Sequence, residues 1–351
     1  MACLITGQGL APRACAVCHC RDGLLRCSAC EVTFYCSRHH QVSHRPAHKK
    51  ACTAVKKARQ NYLDEDQALR SMSGHVLVPD DVFRNGVGHF WGIWETRPYM
   101  RARYGLVDAL LVNLGSAGAP VDVVQVSLDH LQDMMRLCRS DNMGLRDIVP
   151  SLLIRLGRDQ EAYDFVKWYA TTGNESDYDW GDTSLPFLDV KDADVLEPAD
   201  DLRFELSHAI SVLLIKTRLL LDLEAFQAAS SCHLAGRLPA EILHLIQDQL
   251  VGPTLKARPE LLLDRTTVDR VSGVVEHVKA QVAALFKSID KQNGHFWPSM
   301  LHRPESAIAH RPNYFSPRSR EEAILVIGYT YPAWAETRGA IELMKKLKTT
   351  L

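Results

Sequence analysis

The chain shows hydrophobic residues at helical spacing over most of its length. Between residues 121 and 138, Val124, Leu128, Leu131 and Met135 recur at intervals of four, three and four residues, which places them on one face of a helix. No stretch alternates hydrophobic and polar residues over a useful strand length. The pattern therefore predicts a mainly α fold, with an all-α body after the N-terminal region.

Turn and cap residues divide this body into further helices. The segments with helical periodicity are 96–114, 121–138, 143–156, 159–169, 203–234, 239–250, 259–290, and two after residue 319 that a break near 336–339 separates. Gly157 stands where a helix end favours a left-handed residue, and Asp159 is placed to cap the helix that follows.

Two other segments depart from this pattern. The aromatic stretch GHFWGIWETRPYM at 88–100 is predicted to pack in the core; the alternative is a concave face lined by Arg97, Arg101 and Arg103. Residues 171–201 hold ten acidic residues against one base, and no glutamate closes a calcium-binding loop there. We expect an acidic surface loop at 171–201.

The N-terminal region is chemically different from the rest. Eight of the ten cysteines precede residue 53, and the first 60 residues hold ten lysines and arginines against two acids, although the whole chain has a net charge of −1. The opening MACLITGQGLAP lacks the charged and apolar parts of a secretory signal, and no apolar run is long enough for a bilayer. We therefore expect a protein of the cytoplasm or nucleus, with no membrane partner and with cysteines that bind metal rather than form disulfides.

The cysteines and histidines fall into four pairs at ligand spacing. These are Cys15 with Cys18, Cys27 with Cys30, Cys36 with His40, and His48 with Cys52. Two residues between cysteines allow a tight turn to direct both sulfurs at one ion, and three residues between ligands is one helical turn. Eight such ligands divide into two tetrahedral sites of three cysteines and one histidine, which suits two structural Zn²⁺ ions. Spacing alone does not decide how the four pairs share the two ions.

The stretches CAVC, LLRCSAC, FYCSRHHQ and AHKKAC resemble the MYND-type zinc finger, a small protein-interaction module with two interleaved zinc sites. The resemblance implies that Cys15, Cys18, Cys36 and His40 bind one ion. It implies that Cys27, Cys30, His48 and Cys52 bind the other.

The resemblance also implies a partner-binding surface at Gln41 and Arg45. Members of the family usually carry a tryptophan where this chain has Arg45, and that tryptophan and the glutamine shape a groove for proline-rich peptides. A guanidinium in place of the ring removes a flat stacking surface. The metal sites are therefore expected to be retained, and the family's peptide specificity is put in doubt.

Two further residues could compete with the assigned ligands. Cys20 could replace Cys18 only by widening the first turn, and His44 lies one helical turn from both His40 and His48. We expect Cys20 to be a bystander and His44 to be an exposed passenger, as we expect for His39.

The helical body resembles degenerate tetratricopeptide-like repeat proteins. The pair 143–156 and 159–169 is typical of such a hairpin, and ETRPYMRAR and AWAET recur in proteins of this kind. The predicted organisation is a finger at 1–57 with its core at 15–52, a linker or helical extension at 58–85, and a helical domain at 86–351.

These features favour an adaptor without enzymatic activity. The finger would recognise a partner peptide and the helical domain would offer a second surface. The alternative is a nucleic-acid-binding regulator that uses the basic finger, and a divergent enzyme ranks third. No nucleotide-binding glycine loop, GxSxG motif or methyltransferase signature appears in the sequence.

Overall fold

The computed structural model describes residues 9–72, 74, 76–198, 204–249, 251–256 and 267–350. The chain forms two compact units. One combines Met1–Leu156 with Asp177–Phe187, and the other combines Gly157–Ser176 with Leu188–Leu351. The prediction of a mainly α fold is confirmed, since helices dominate both units and the described residues contain a single two-stranded sheet.

The first unit begins with that small sheet. Strands β1 and β2 are antiparallel, with Leu25 opposite Tyr35 and Arg26 opposite Phe34. The elements of the unit are β1 (Leu25–Arg26), β2 (Phe34–Tyr35), α1 (Arg38–Ser71), α2 (Val82–Asn85), α3 (Arg97–Leu114), α4 (Val121–Leu137) and α5 (Val149–Arg155). Helix α1 packs along α3, and α3 packs on α4.

The hydrophobic core of this unit joins the cysteine-rich region to the helices. Cys30 and Val32 pack in one cluster with Val55 of α1, Leu110 of α3 and Val123 of α4. Helix α1 runs without interruption across residue 57 and continues to Ser71, so residues 58–71 take the helical alternative. The predicted boundaries at 57 and 85 stay a prediction, and the structure adds a helix and a core that cross the first of them.

The second unit is built from the remaining helices. They are α6 (Asp159–Ala170), α7 (Leu206–Leu234), α8 (Ala240–Gln249), α9 (Pro253–Lys256), α10 (Thr267–Gln292), α11 (Phe296–His302), α12 (Pro304–Ala309), α13 (Arg320–Ala335) and α14 (Ala340–Thr350). The sequence pattern predicted neither α11 nor α12. Parts of the predicted helices, at residues 203, 250 and 259–266, lie outside the described residues, as does the acidic segment at 199–201.

Within the second unit, a buried lysine binds residues 195 and 197 of the acidic segment. The ammonium group of Lys216 on α7 donates to the backbone oxygens of Val195 and Glu197, at 2.7 and 2.9 Å, and to Oε1 of Gln281 on α10 at 2.6 Å. Three acceptors satisfy a charge that would otherwise be costly to bury.

Local details of the helix boundaries differ from the prediction. Gly157 has the expected left-handed φ of 72°. Asp159 does not cap α6, because the cap position is Arg158 and makes no side-chain cap hydrogen bond. The buried carboxylate of Asp159 instead accepts from Arg218 on α7 at 3.0 Å. An ion pair from a distant part of the sequence thus replaces the local cap.

Candidate metal centre

Two tight turns present the first four cysteines in the same way. In the first turn, the amide of His19 donates to the carbonyl of Cys15 at 3.0 Å; in the second, the amide of Glu31 donates to the carbonyl of Cys27 at 2.9 Å. The residue that closes each turn has a left-handed backbone conformation, with φ of 59° for His19 and 60° for Glu31. The repeated geometry directs both sulfurs of each pair to one side.

The other four candidates come from the junction of β2 with α1 and from α1 itself. Ser37 begins the helix, and its hydroxyl accepts from the amide of His40 at 3.2 Å. This cap sets the first helical turn, which brings Cys36 and His40 together. His48 and Cys52 lie on the next turns of the same helix, on its buried side.

The fold gathers the eight residues into two groups. Within each group, one donor atom from every residue lies within 4.8 Å of the others, and the groups are Cys15, Cys18, Cys36 and His40, and Cys27, Cys30, His48 and Cys52. The pairs therefore interleave along the chain. Among the described residues no other group of this kind occurs, and the acidic segment contributes to neither.

The distances within the groups fit a tetrahedral ion. In the first group, Sγ of Cys36 lies 3.1 Å from Nδ1 of His40, and Sγ of Cys18 lies 3.5 Å from Sγ of Cys36. Four ligands at about 2.0–2.3 Å from one Zn²⁺ place their donor atoms roughly 3.3–3.8 Å apart.

The second group has the same dimensions. Sγ of Cys27 lies 3.7 Å from Sγ of Cys52, and Sγ of Cys30 lies 3.5 Å from Nε2 of His48. The two histidines face their groups through different ring nitrogens, Nδ1 for His40 and Nε2 for His48. Both sets therefore offer four soft or borderline donors at the separation that Zn²⁺ requires.

The pKa values of the clustered thiols are shifted in opposite directions. Burial raises the pKa of Cys15, but backbone amides of Cys18, Cys36 and Val17 donate to its sulfur and lower the value to about 5. In the second group, burial and the neighbouring Cys30 and Cys27 raise the pKa of Cys52 to about 12. Zinc binds cysteine as the thiolate, and a divalent cation in either group would offset the repulsion between neighbouring thiolates.

His44 belongs to neither group of candidate ligands, as expected, but it is not exposed. It is half-buried, its Nδ1 is 3.0 Å from the hydroxyl of the buried Tyr35, and its ring stacks on His48 at a centroid distance of 5.6 Å. Burial, followed by the nearby His48, lowers the pKa of His44. The residue packs against a candidate ligand, and its spacing of four from His48 was the signal in the sequence.

Arg59 is a further residue that sequence reasoning missed. From α1, its guanidinium donates to the carbonyl of Cys30 at 2.9 Å and pairs with Glu31 at 3.2 Å. It thus ties the second cysteine turn to the part of α1 beyond the last ligand. Cys20 is outside both groups, and His39 is exposed.

The two proposed partner-binding residues lie on the outer side of α1. Gln41 and Arg45 are both exposed and one helical turn apart. Arg45 places a cation, and no aromatic ring, at this exposed position.

An aromatic surface occurs elsewhere in the first unit. Phe90, Tyr99 and Met100 of the stretch 88–100 are buried as predicted, but Trp94 is 71% exposed. The guanidinium of Arg97 lies 3.9 Å from the ring centre of Trp94.

The same guanidinium continues this surface to a second tryptophan. It lies 5.2 Å from the ring centre of Trp91, over which Arg101 also lies, at 5.5 Å. The prediction of a core segment is therefore wrong for Trp94. Its outward-facing ring forms, with Trp91, Arg97 and Arg101, what we call the tryptophan–arginine surface.

None of the described helices is both long and apolar enough to cross a lipid bilayer. No curated protein and no solved structure matches the chain. Residues 15–52 match the family model of the MYND finger, which covers both groups of candidate ligands from first to last. The chain therefore contains a MYND finger whose two cysteine and histidine clusters fit two zinc ions, joined to a helical body.

Proposed function

We propose that this protein is a zinc-stabilised adaptor that binds other proteins. The observation that carries the proposal is the pair of closed four-ligand clusters within the segment that matches the MYND finger. MYND fingers commonly act as protein-interaction modules, and a site with four protein ligands leaves no position for a substrate or a reactive water. The proposed role is binding without catalysis.

The eight clustered residues are the proposed zinc ligands. One ion is assigned to Cys15, Cys18, Cys36 and His40, and the other to Cys27, Cys30, His48 and Cys52. Zinc supplies cross-links that a segment of this length cannot obtain from a hydrophobic core of its own. The chain's own contribution is to orient the ligands through the two cysteine turns, the Ser37 cap and the packing of His44 on His48.

Two surfaces are proposed to contact partners. On the finger, Gln41 and Arg45 form the first, which is suited to a partner segment that supplies a carboxylate for Arg45. The tryptophan–arginine surface forms the second, because exposed tryptophan and arginine are the residues that most often dominate protein interfaces. This surface offers an aromatic ring for stacking, which the finger lacks because Arg45 stands where the family usually has tryptophan.

Zinc content and partner capture test the proposal together. Native mass spectrometry of the purified chain is expected to show two zinc ions, and Cys36→Ser is expected to lose one. The zinc-loaded full chain then serves as bait, with Trp94→Ala and the double change Gln41→Ala with Arg45→Ala as variants. Fewer than two ions in the wild-type chain would contradict the metal assignment.

Control variants show whether a loss of partner capture comes from the substituted surface or from any substitution of an exposed residue. Tyr314 is an exposed aromatic residue and Arg338 an exposed arginine, both in the second unit. Specific partners are expected to be lost with the Trp94 or Gln41 and Arg45 variants and retained with Tyr314→Ala and Arg338→Ala. If zinc-loaded and metal-free protein capture the same partners equally, the finger does not bind those partners.

A further inference from the structure

The outward face of α1 carries an unbroken series of positive charges. From Arg38 onward the helix contains no acidic residue before Asp64. Its six exposed lysines and arginines in this range are Arg38, Arg45, Lys49, Lys50, Lys56 and Lys57. Within the part of the chain that the structure describes, none of the six has a carboxylate partner. Arg59, by contrast, points inward and is paired with Glu31.

Helical geometry arranges these cations in two rows. Relative to Arg38, Arg45, Lys49 and Lys56 follow at 7, 11 and 18 residues. At about 100° per residue these positions fall within roughly 20° of one line along the helix. We call this the first row.

A second row runs parallel to the first. Lys50 and Lys57 follow His39 at 11 and 18 residues, and this line lies about 100° around the helix from the first row. The exposed residues Val42, Pro46 and Thr53 occupy the surface between the rows. At 1.5 Å per residue the first row is about 27 Å long, and the two lysines of the second row lie about 10 Å apart beside its C-terminal half.

We propose that this face of α1 binds the phosphate backbone of double-stranded DNA, with one row of cations directed to each strand across the major groove. The two rows project from the two edges of the exposed face of α1. An α-helix is about 10–12 Å in diameter, which matches the width of the major groove of B-DNA, about 12 Å. Lysine and arginine are the side chains that supply most contacts to phosphate.

The composition of the face favours a phosphate backbone over an acidic protein or a membrane. Protein interfaces are depleted in lysine and enriched in aromatic residues, whereas this face has four lysines and no aromatic ring apart from histidine. Amphipathic helices bind membranes through an apolar face, but the apolar side of α1, with Val55 and Leu69, is buried in the protein. A regular phosphate array is therefore the partner that two parallel rows of unpaired cations fit best.

The test measures binding of the zinc-loaded full chain to a fluorescent 20-base-pair DNA duplex by anisotropy, between 50 and 200 mM salt. With six phosphate contacts, log K is expected to fall with log salt at a slope of about −5. A slope between 0 and about −1 would overturn the proposal, since it would correspond to one phosphate contact or none.

Charge reversals in the two rows locate the site. Lys49→Glu with Lys56→Glu, in the first row, and Lys50→Glu with Lys57→Glu, in the second, should each make the slope shallower by about 2 and weaken binding roughly tenfold or more at 100 mM salt. The control is Lys345→Glu with Lys346→Glu on α14, the same change of charge at exposed residues of the other unit. An equal loss with the control would contradict the assignment to α1.

Competitors decide between partners without relying on any variant. Unlabelled DNA duplex should displace the probe, whereas polyglutamate, phosphatidylserine vesicles and A-form RNA duplex, whose major groove is deep and narrow, should compete at least tenfold more weakly. Equal competition by any of the three would overturn the proposal. Zinc content and partner capture are separate readouts, so the DNA site and the adaptor role can fail independently.

Discussion

The two zinc-binding clusters have the same ligand set but different surroundings. In the first, Cys18 is exposed and Cys36 and His40 are half-buried, so three of its four ligands have contact with solvent. In the second, Cys30 is fully buried and its neighbours belong to the core that includes Val55, Leu110 and Val123. The difference indicates that the first cluster closes a surface loop, whereas the second is part of the core of a larger helical unit.

The position of the ligands along α1 explains this difference. His40 lies in the first turn of the helix, and none of the helix's buried residues precedes His48. His48 and Cys52 lie on the side of α1 that continues towards α3, and Arg59 ties the second cysteine turn to the same helix. Metal binding at the second cluster should therefore stabilise helices that contribute no ligand.

The largest expected effect compares serine substitutions at the two clusters. Cys30→Ser should remove the second zinc ion and lower the free energy of unfolding of the first unit by more than about 5 kcal/mol, comparable to the whole stability of many domains. Cys18→Ser should cost less, about 3 kcal/mol or below, because only the first loop opens.

Native mass spectrometry and amide hydrogen exchange check this comparison. Cys30→Ser should lose protection in α3 and α4, and Cys18→Ser should lose it only near residues 15–20 and at the start of α1. Equal loss of protection in α3 for both variants would contradict the different roles of the two clusters.

Chelation should separate the two clusters in time. A chromogenic zinc chelator added to the loaded protein is expected to take one equivalent at least roughly tenfold faster than the other, because exposed ligands open by local fluctuation and buried ligands need the core to open. Absorbance of the chelator complex measures both phases. Cys18→Ser should abolish the fast phase, and a single phase releasing two equivalents from the wild-type protein would refute the ordering.

The free energy of unfolding should depend on pH through His130, a residue that is not a zinc ligand. Burial, with the nearby cations of Arg103 and Arg59, lowers the pKa of His130 to about 4 from an ordinary value of 6.5. The unfolded chain therefore binds more protons than the folded chain between pH 6.5 and 4, and stability falls as the pH falls through this window, by roughly 3 kcal/mol at most.

Substitution of His130 isolates this contribution. In the wild-type protein, Nε of Arg103 donates to Nδ1 of His130 at 3.1 Å. Glutamine in place of His130 keeps a hydrogen-bond acceptor but does not titrate. Urea unfolding at pH 7 and pH 5, with zinc content measured in parallel, should show a smaller loss of stability for the variant. An unchanged difference between the two pH values would show that His130 does not contribute to the pH dependence.

His44 should support the second cluster but not the first. His44→Ala removes the ring that stacks on His48 and the partner of the Tyr35 hydroxyl, and residues that orient a metal ligand typically affect metal affinity by 10–100-fold. Competition with a chelator of known affinity measures the change at each site. The control is His39→Ala, an exposed histidine beside His40, which should leave both affinities within about twofold.

The smallest effect concerns the two cysteine turns. His19 has a left-handed backbone that costs about 1 kcal/mol in a residue other than glycine, so His19→Gly should raise stability by up to about 1 kcal/mol. Glu31→Gly should gain less, or lose, because Glu31 also pairs with Arg59. Thermal unfolding of the zinc-loaded variants distinguishes the two turns; equal shifts would show that the ion pair contributes nothing.

Much of the helical architecture followed from periodicity. Helices α3, α4 and α6 begin and end within one or two residues of the predicted segments, because a long apolar stripe and clear stop residues leave little choice of conformation. Asp159 failed as a cap since a distant arginine competes for its carboxylate. The resemblance to tetratricopeptide-like repeats stays a prediction.

The candidate site divides in the same way between local and distant information. The spacing of cysteines and histidines determined by itself that this chain has four ligand pairs, because a tight turn and a helical turn are local geometries. Spacing left open which pairs share an ion; the resemblance to the MYND finger implied the interleaved sets, and the structure groups the same residues. That His44 packs on His48 and that Trp94 faces solvent were decided only by the tertiary structure. Each depends on how β2, α1 and α3 pack together, and contacts between residues far apart in the chain leave no periodic signal in the sequence.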